Sequence, residues 1–253
     1  MSERIATYKK DRDAYGHMLM DHLNGEETDE VIEREDGFIS TSRGAELYFS
    51  EYPDWPDVEK DAMHYLTPGR VLDVGCGAGR MELYLQGKGY DVVGIDNSPL
   101  AVEVCKRRGV KDARLLSVTQ VSQQLGFFDN ILMMGNNWGL MGNKARARWL
   151  MRKFYTMTSP AARVIAESND IFKTDSPHHL AYHAYNRERG RMAGQIRLRV
   201  LYKIYRSGWF DYLMVSKSEM MAILEGTGWR VRQFIDSESS LFVAVMEKEK
   251  NRP

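Results

Sequence analysis

Arg70-Val-Leu-Asp-Val-Gly-Cys-Gly-Ala-Gly-Arg80 changes character twice within a short span. Val71, Leu72 and Val74 form an apolar run of the kind that makes a strand buried on both faces. Gly75-Cys-Gly77-Ala-Gly79 breaks the run, and Met81, Leu83, Tyr84 and Leu85 then follow a helical pattern. A strand, a glycine turn and a helix start together let backbone approach a ligand closely. A Cβ at the glycines would block either the turn or the ligand.

Working outward, Asp91-Val-Val-Gly-Ile-Asp96 reads as the next strand. It ends in a carboxylate at the spacing expected of a ribose-binding acid. A carboxylate accepts from two vicinal hydroxyls at once, which a neutral side chain does less well. Asn97 adds a polar group, and Ser98-Pro99 supplies an N-cap and a favoured first residue for the following helix. The nicotinamide fingerprint G-x-G-x-x-G would need glycine where Arg80 stands, so it fails.

The pattern present is Asp73-x-Gly75-x-Gly77-x-Gly79, preceded by a strand. It resembles motif I of the class I S-adenosylmethionine-dependent methyltransferases. The resemblance extends over about residues 70–247 and implies S-adenosylmethionine as cofactor and S-adenosylhomocysteine as product. It places Asp73, Gly75, Cys76, Gly77 and Gly79 at the cofactor, with Asp96 and Asn97 at the ribose. In the family the end of the third strand brackets the adenine, often with an acid. Here Ser117-Val118 stands there, a departure that leaves apolar contact and a backbone hydrogen bond to read the base. Gly135-Asn136-Asn137-Trp138-Gly139-Leu140 looks like the N-S-F-G-Y-L form of motif IV in small-molecule methyltransferases. That puts Asn136 where the methyl group emerges, and gives Trp138 a place in the pocket wall. An ordinary loop is the other reading. The N-P-P-Y pattern of amino-methylating nucleic-acid enzymes is absent.

The fold expected is α/β, a Rossmann-like doubly wound sheet, mostly parallel with an antiparallel last strand. Strands are read at 70–74, 91–95, 113–117, 128–134 and 162–168, and helices at 79–87, 98–108 and 144–157. Residues 1–69 read as a helical N-terminal extension, either a lid or a layer that completes the fold. Tyr8, Tyr15, Met18, Leu19 and Leu23 mark its first helix, and a second runs to about Leu66. Between them Asp36-Gly37 gives a hairpin signal. Residues 170–215 read as an inserted substrate-side segment with a β-hairpin turning at Ser207-Gly208. Ser216-Lys-Ser-Glu219 is a capping box, strands at 229–235 and 240–247 close the sheet, and 248–253 is a polar tail.

The 253 residues suffice for such a domain, and the formal net charge is zero, which does not steer the molecule to nucleic acid or an anionic membrane. No apolar run reaches membrane-spanning length, and the start Met1-Ser-Glu-Arg-Ile is not a signal peptide. Cys76 and Cys105 make no disulfide framework, so a cytoplasmic location is expected, with a small side chain sufficient at Cys76. Charge is unevenly spread. Residues 1–60 carry 16 acids against 7 Lys and Arg, and residues 187–206 carry 7 basic residues and one acid. The two could face each other or be separately solvated. Arg197, Arg199 and Lys203 line one face of the hairpin, pointing to an anionic substrate or to the acidic N-terminal segment.

Glu167 ends the fifth strand, as a general base or as a rim carboxylate with local hydrogen bonds. His179 and His183 have metal-ligand spacing without a third ligand, so no metal is assigned. The expectation is methyl transfer to a small, optionally anionic, molecule by a monomer or homodimer, without nucleic acid or membrane. An RNA or protein methyltransferase and a non-catalytic cofactor-binding protein are the alternatives.

Overall fold

A computed structural model describes residues 9–42 and 44–249; Tyr8 and residues 250–253 of the expected tail lie outside them. In chain order the elements begin with α1 (Ala14–Leu23), β1 (Glu30–Arg34), β2 (Ile39–Ser42), α2 (Glu46–Phe49) and α3 (Asp57–Met63). Then follow β3 (Arg70–Val74), α4 (Arg80–Gly87), β4 (Asp91–Asp96), α5 (Pro99–Arg108) and β5 (Ala113–Leu115). After these come β6 (Phe128–Met133), α6 (Lys144–Thr156), β7 (Thr158–Asn169) and α7 (Pro177–Glu188). The chain ends with β8 (Gln195–Tyr202), β9 (Tyr205–Arg206), β10 (Phe210–Leu213), α8 (Lys217–Leu224), β11 (Trp229–Asp236) and β12 (Leu241–Lys248).

The main sheet has seven strands in the order β11-β12-β7-β6-β3-β4-β5. β4 and β5 run parallel, as do β6 and β7, while β12 is antiparallel to both β7 and β11. This is the doubly wound order read from the alternation of strands and helices. Its strands are apolar nearly end to end, and Val71, Leu72, Val93, Ile131, Leu132, Ile165 and Val245 have no exposed surface. A second sheet has the order β10-β8-β1-β2, with β9 on β8.

The chain divides into two compact units. The first comprises residues 1–54, 72–121 and 198–210. Ala14, Met18 and Leu19 of α1 share a core there with Ala101 and Val104 of α5 and with Val200 and Tyr202 of β8. The N-terminal segment is mixed rather than purely helical, because β1 and β2 form the Asp36-Gly37 hairpin and β1 pairs with β8. Glu33 stands opposite Arg199 in that register and bonds it at 2.7 Å. Lys203 reaches Asp21 at 2.7 Å and Glu26 at 2.6 Å. The basic hairpin and the acidic N-terminal segment therefore meet. The hairpin turns at Lys203-Ile204, not at Ser207-Gly208. Ile204 fits the apolar alternation yet is 86% exposed, so periodicity alone carried the strand past its turn.

The second unit comprises residues 55–71, 122–197 and 211–253. Here α3 stops at Met63, earlier than Leu66, and the chain enters β3 through Thr67-Pro68-Gly69. Fully buried Asn130 holds that entry. Its Oδ1 accepts from Thr67 N (2.9 Å) and Thr67 Oγ1 (3.1 Å), and its Nδ2 donates to Thr67 O (2.7 Å). The Ser216–Glu219 capping box forms as read. Loss of the Asn130 amide would strand a backbone N–H and C=O. Asn130→Ala should therefore destabilise the protein by about 2–4 kcal/mol in urea unfolding, with m unchanged.

Candidate functional site

Gly75, Gly77 and Gly79 all adopt left-handed backbone, with φ of 81°, 55° and 81°. A β-carbon would be strained at each. The turn is bonded to the end of β4. Gly75 N and Cys76 N both donate to Ile95 O, at 2.8 and 3.1 Å, and Gly77 N donates to Asp96 Oδ2 at 3.0 Å. Ser98 N donates to Asp96 Oδ1 at 2.9 Å. Two backbone N–H groups thus aim the Asp96 carboxylate and leave acceptor sites on both oxygens. Asp96 is 8% exposed, and burial, the largest cause, pushes its pKa up to about 6.

Asp73 is also buried and is raised to about 6 by the same cause. Behind it lies Glu82, an acid that the motif did not reveal. It is fully buried in the first turn of α4, in the space that Gly94 leaves, and burial followed by the charge of Asp73 pushes it well up. Cys76 and Cys105 are free thiols 3.8 Å apart, and the Cys105 hydrogen bond and burial raise Cys76 well above the usual thiol range. Such a thiol is a poor nucleophile, in keeping with a small residue packed in the turn.

Ser117 is buried and caps a short turn, its hydroxyl accepting from Thr119 N, with Val118 next to it half-buried. The Asn97 side chain makes no hydrogen bond among the described residues. Tyr15 also stands at this turn. A Cβ on Gly77 would stand 2.6 Å from its Oη. Only its place on a helical stripe was visible, and that stripe read as packing.

In the second unit Asn136 and Glu167 follow β6 and close β7, and the structure joins them. Asn136 N donates to Glu167 Oε1 at 2.6 Å. Tyr212 Oη, from β10, donates to Asn136 O at 2.5 Å, and its ring occupies the space over Gly139. Asn136 holds left-handed backbone at φ 63°, a conformation that Asn tolerates better than most. Its Oδ1 and the Trp138 Nε1 are buried without a hydrogen-bond partner among the described residues. Tyr212 carried no signal in the sequence beyond its place in an apolar strand. Among the described residues no three His, Cys, Asp or Glu side chains group as a metal site, and no helix is long and apolar enough to cross a membrane.

Residues 71–161 match a family model described as a methyltransferase domain. A solved S-adenosylmethionine-dependent methyltransferase from Bacteroides fragilis, in complex with S-adenosylhomocysteine, superposes with a TM-score of 0.79 at 25% identity. The match covers 96% of this chain and 98% of that one. Residues 71–161 thus carry a methyltransferase domain, and the chain shares the fold of that solved S-adenosylmethionine-dependent methyltransferase. Two curated methyltransferases match shorter stretches. The 2-heptyl-1-hydroxyquinolin-4(1H)-one methyltransferase of Mycobacteroides abscessus is 34% identical over 28% of this chain and 35% of its own. The ubiquinone biosynthesis O-methyltransferase of Methylocella silvestris is 36% identical over 26% and 27%. The chain thus matches about a third or less of the length of either.

An acid held above its unfolded pKa, near 4, costs stability when charged. The cost is present above about pH 6 and is relieved as the pH falls toward 4. The ligand-free protein should therefore gain about 1–3 kcal/mol of stability from Asp96 alone between pH 7 and pH 4.5. Asp96→Ala should remove that share of the gain in urea titrations at the two pH values. The same variant should bind S-adenosylhomocysteine about 1–3 kcal/mol more weakly by calorimetry.

Proposed function

We propose that the protein transfers the methyl group of S-adenosylmethionine to a small molecule. The observation that carries the reading is the Asp96 carboxylate, fixed by Gly77 N and Ser98 N beside three left-handed glycines. This arrangement fits a nucleoside. The carboxylate keeps acceptor capacity for two hydroxyls, and the bare Gly77 Cα permits close approach. Asp96 and Asn97 would hold the ribose, the glycine turn the methionyl part, and Val118 the base. When bound, the cofactor supplies a sulfonium methyl with a thioether leaving group. The protein's part is then to align a nucleophile with the C–S bond and to exclude water.

Glu167 accepts the backbone N–H of Asn136, and Tyr212 binds the carbonyl of the same residue. Both backbone polar groups of Asn136 are engaged, which leaves its amide for a ligand. Glu167 is read here as a holder of this loop rather than as a base.

A small-molecule acceptor is favoured by the fate of the basic hairpin. Arg199 and Lys203 pair with Glu33, Asp21 and Glu26, so they do not form a free phosphate-binding stripe. The same pairing removes the reason to prefer an anionic acceptor. The two curated relatives, one a quinolone methyltransferase and one an O-methyltransferase of ubiquinone biosynthesis, support the same class. Two buried free thiols fit action in the cytoplasm.

Incubation with methyl-labelled S-adenosylmethionine and a cell extract, followed by separation of metabolites from macromolecules, tests the reading. Label should enter the metabolite fraction, and label in RNA or protein would overturn it. With the acceptor in hand, Glu167→Gln should keep kcat within about threefold and leave its pH profile unmoved, because the amide oxygen still accepts from Asn136 N. A base at this position would instead lose about 10²–10⁴-fold.

A further inference from the structure

The N-terminal segment reaches the glycine turn through one buried network. Asp13, 2% exposed, caps α1 by accepting from Gly16 N at 3.0 Å. It also caps α5, accepting from Ser98 Oγ at 2.7 Å and Leu100 N at 3.1 Å. Ser98 in turn gives its N–H to Asp96 Oδ1 and takes the N–H of Ala101 on its hydroxyl. Gly16 permits this docking, since a Cβ there would stand 2.4 Å from both Asp13 Oδ2 and Ser98 Oγ. One carboxylate therefore starts two helices and, through Ser98, bears on the acid assigned to the ribose.

Asp13 also places Tyr15, two residues on in the first turn of α1. The Tyr15 hydroxyl lies over the open side of Gly77, and its ring is held edge-on to Tyr48 with centroids 5.1 Å apart. Tyr48 is itself tied to Glu30 at 3.2 Å. The Tyr15 hydroxyl makes no hydrogen bond with a described residue. An O–H donor beside a glycine turn, with no protein acceptor, is placed for a ligand oxygen. Burial, the nearby Tyr48 hydroxyl and the carboxylates of Asp96 and Glu30 hold its pKa well above the usual phenol value, so it remains a donor at neutral pH.

We propose that the N-terminal segment completes the cofactor site: Tyr15 donates a hydrogen bond to the bound cofactor, and Asp13 is a positioning residue that fixes Tyr15 and Asp96 together. This rests on the cofactor reading above and concerns residues that the glycine motif does not contain. A purely structural Asp13 would be a helix cap only. A positioning Asp13 also sets the charge environment of Asp96, which is faced by Asp13 and Tyr15 from α1, by Asp73 from β3 and by Cys76 from the turn.

The test is calorimetric titration of the full chain with S-adenosylhomocysteine, alongside thermal unfolding without ligand. Tyr15→Phe should weaken binding about tenfold and leave the melting temperature unchanged. Asp13→Asn should weaken binding at least as much. It should also move the acid limb of the affinity–pH profile to lower pH, because Asp96 loses a like-charged neighbour. Ser98→Ala breaks the same link from the other side and should likewise weaken binding, which keeps the test open if Asp13→Asn fails to fold. Wild-type affinity in Tyr15→Phe overturns the contact. Wild-type affinity with an unmoved pH profile in Asp13→Asn, or wild-type affinity in Ser98→Ala, overturns the positioning role. Absence of binding by the wild-type protein would instead overturn the cofactor reading on which the proposal stands.

Discussion

The tie between the glycine turn and the end of β4 is the constraint on which the rest depends. Three backbone N–H groups from Gly75, Cys76 and Gly77 terminate on Ile95 O and the Asp96 carboxylate. The turn can satisfy its donors in this way only because three residues in five take left-handed backbone. Gly79 then starts α4, and a Cβ there would press on Val110 at 2.6 Å, so the turn packs closely on the end of α5 and the connection after it. Strand exit, helix entry and carboxylate aim are one local solution.

That solution concentrates acids where water is scarce. Asp13, Asp73, Glu82 and Asp96 are all buried within the first unit, and for Asp73, Glu82 and Asp96 burial is the first cause of a raised pKa. A fold optimised for stability alone would not gather four carboxyls out of water there. Their cost is intelligible if the site must present acceptors to a ligand rich in hydroxyls. The thiol pair at Cys76 and Cys105 fills the remaining space under the turn with small groups that do not compete for those acceptors.

Much of this was legible in the sequence. β3, the start of β4, α5 and α6 were readable to within a residue or two, because apolar runs and caps such as Ser98-Pro99 act locally. So were the glycine turn and the acid at 96. The joining of Asn136 to Glu167 was not, since it depends on two strands coming side by side. Tyr15, Tyr212 and Glu82 act across long sequence separations and look like packing or surface residues on their own elements. The hairpin turn at Lys203 was hidden for a different reason. Its left-handed residue is a lysine held by Asp21 and Glu26, and not a glycine. The uneven charge distribution was visible from the start, but only β1 beside β8 showed that Arg199 and Lys203 pair with acids of the N-terminal segment.

The central claim is that the turn and Asp96 form a nucleoside cofactor site. Calorimetric titration of the unmodified protein with S-adenosylhomocysteine at pH 7.5, with NAD as a control, tests it most directly. Saturable one-site binding of S-adenosylhomocysteine is expected and none of NAD, whose fingerprint needs a third glycine, for close helix–strand packing, where Arg80 stands. Binding of NAD, or no binding of S-adenosylhomocysteine, would contradict it.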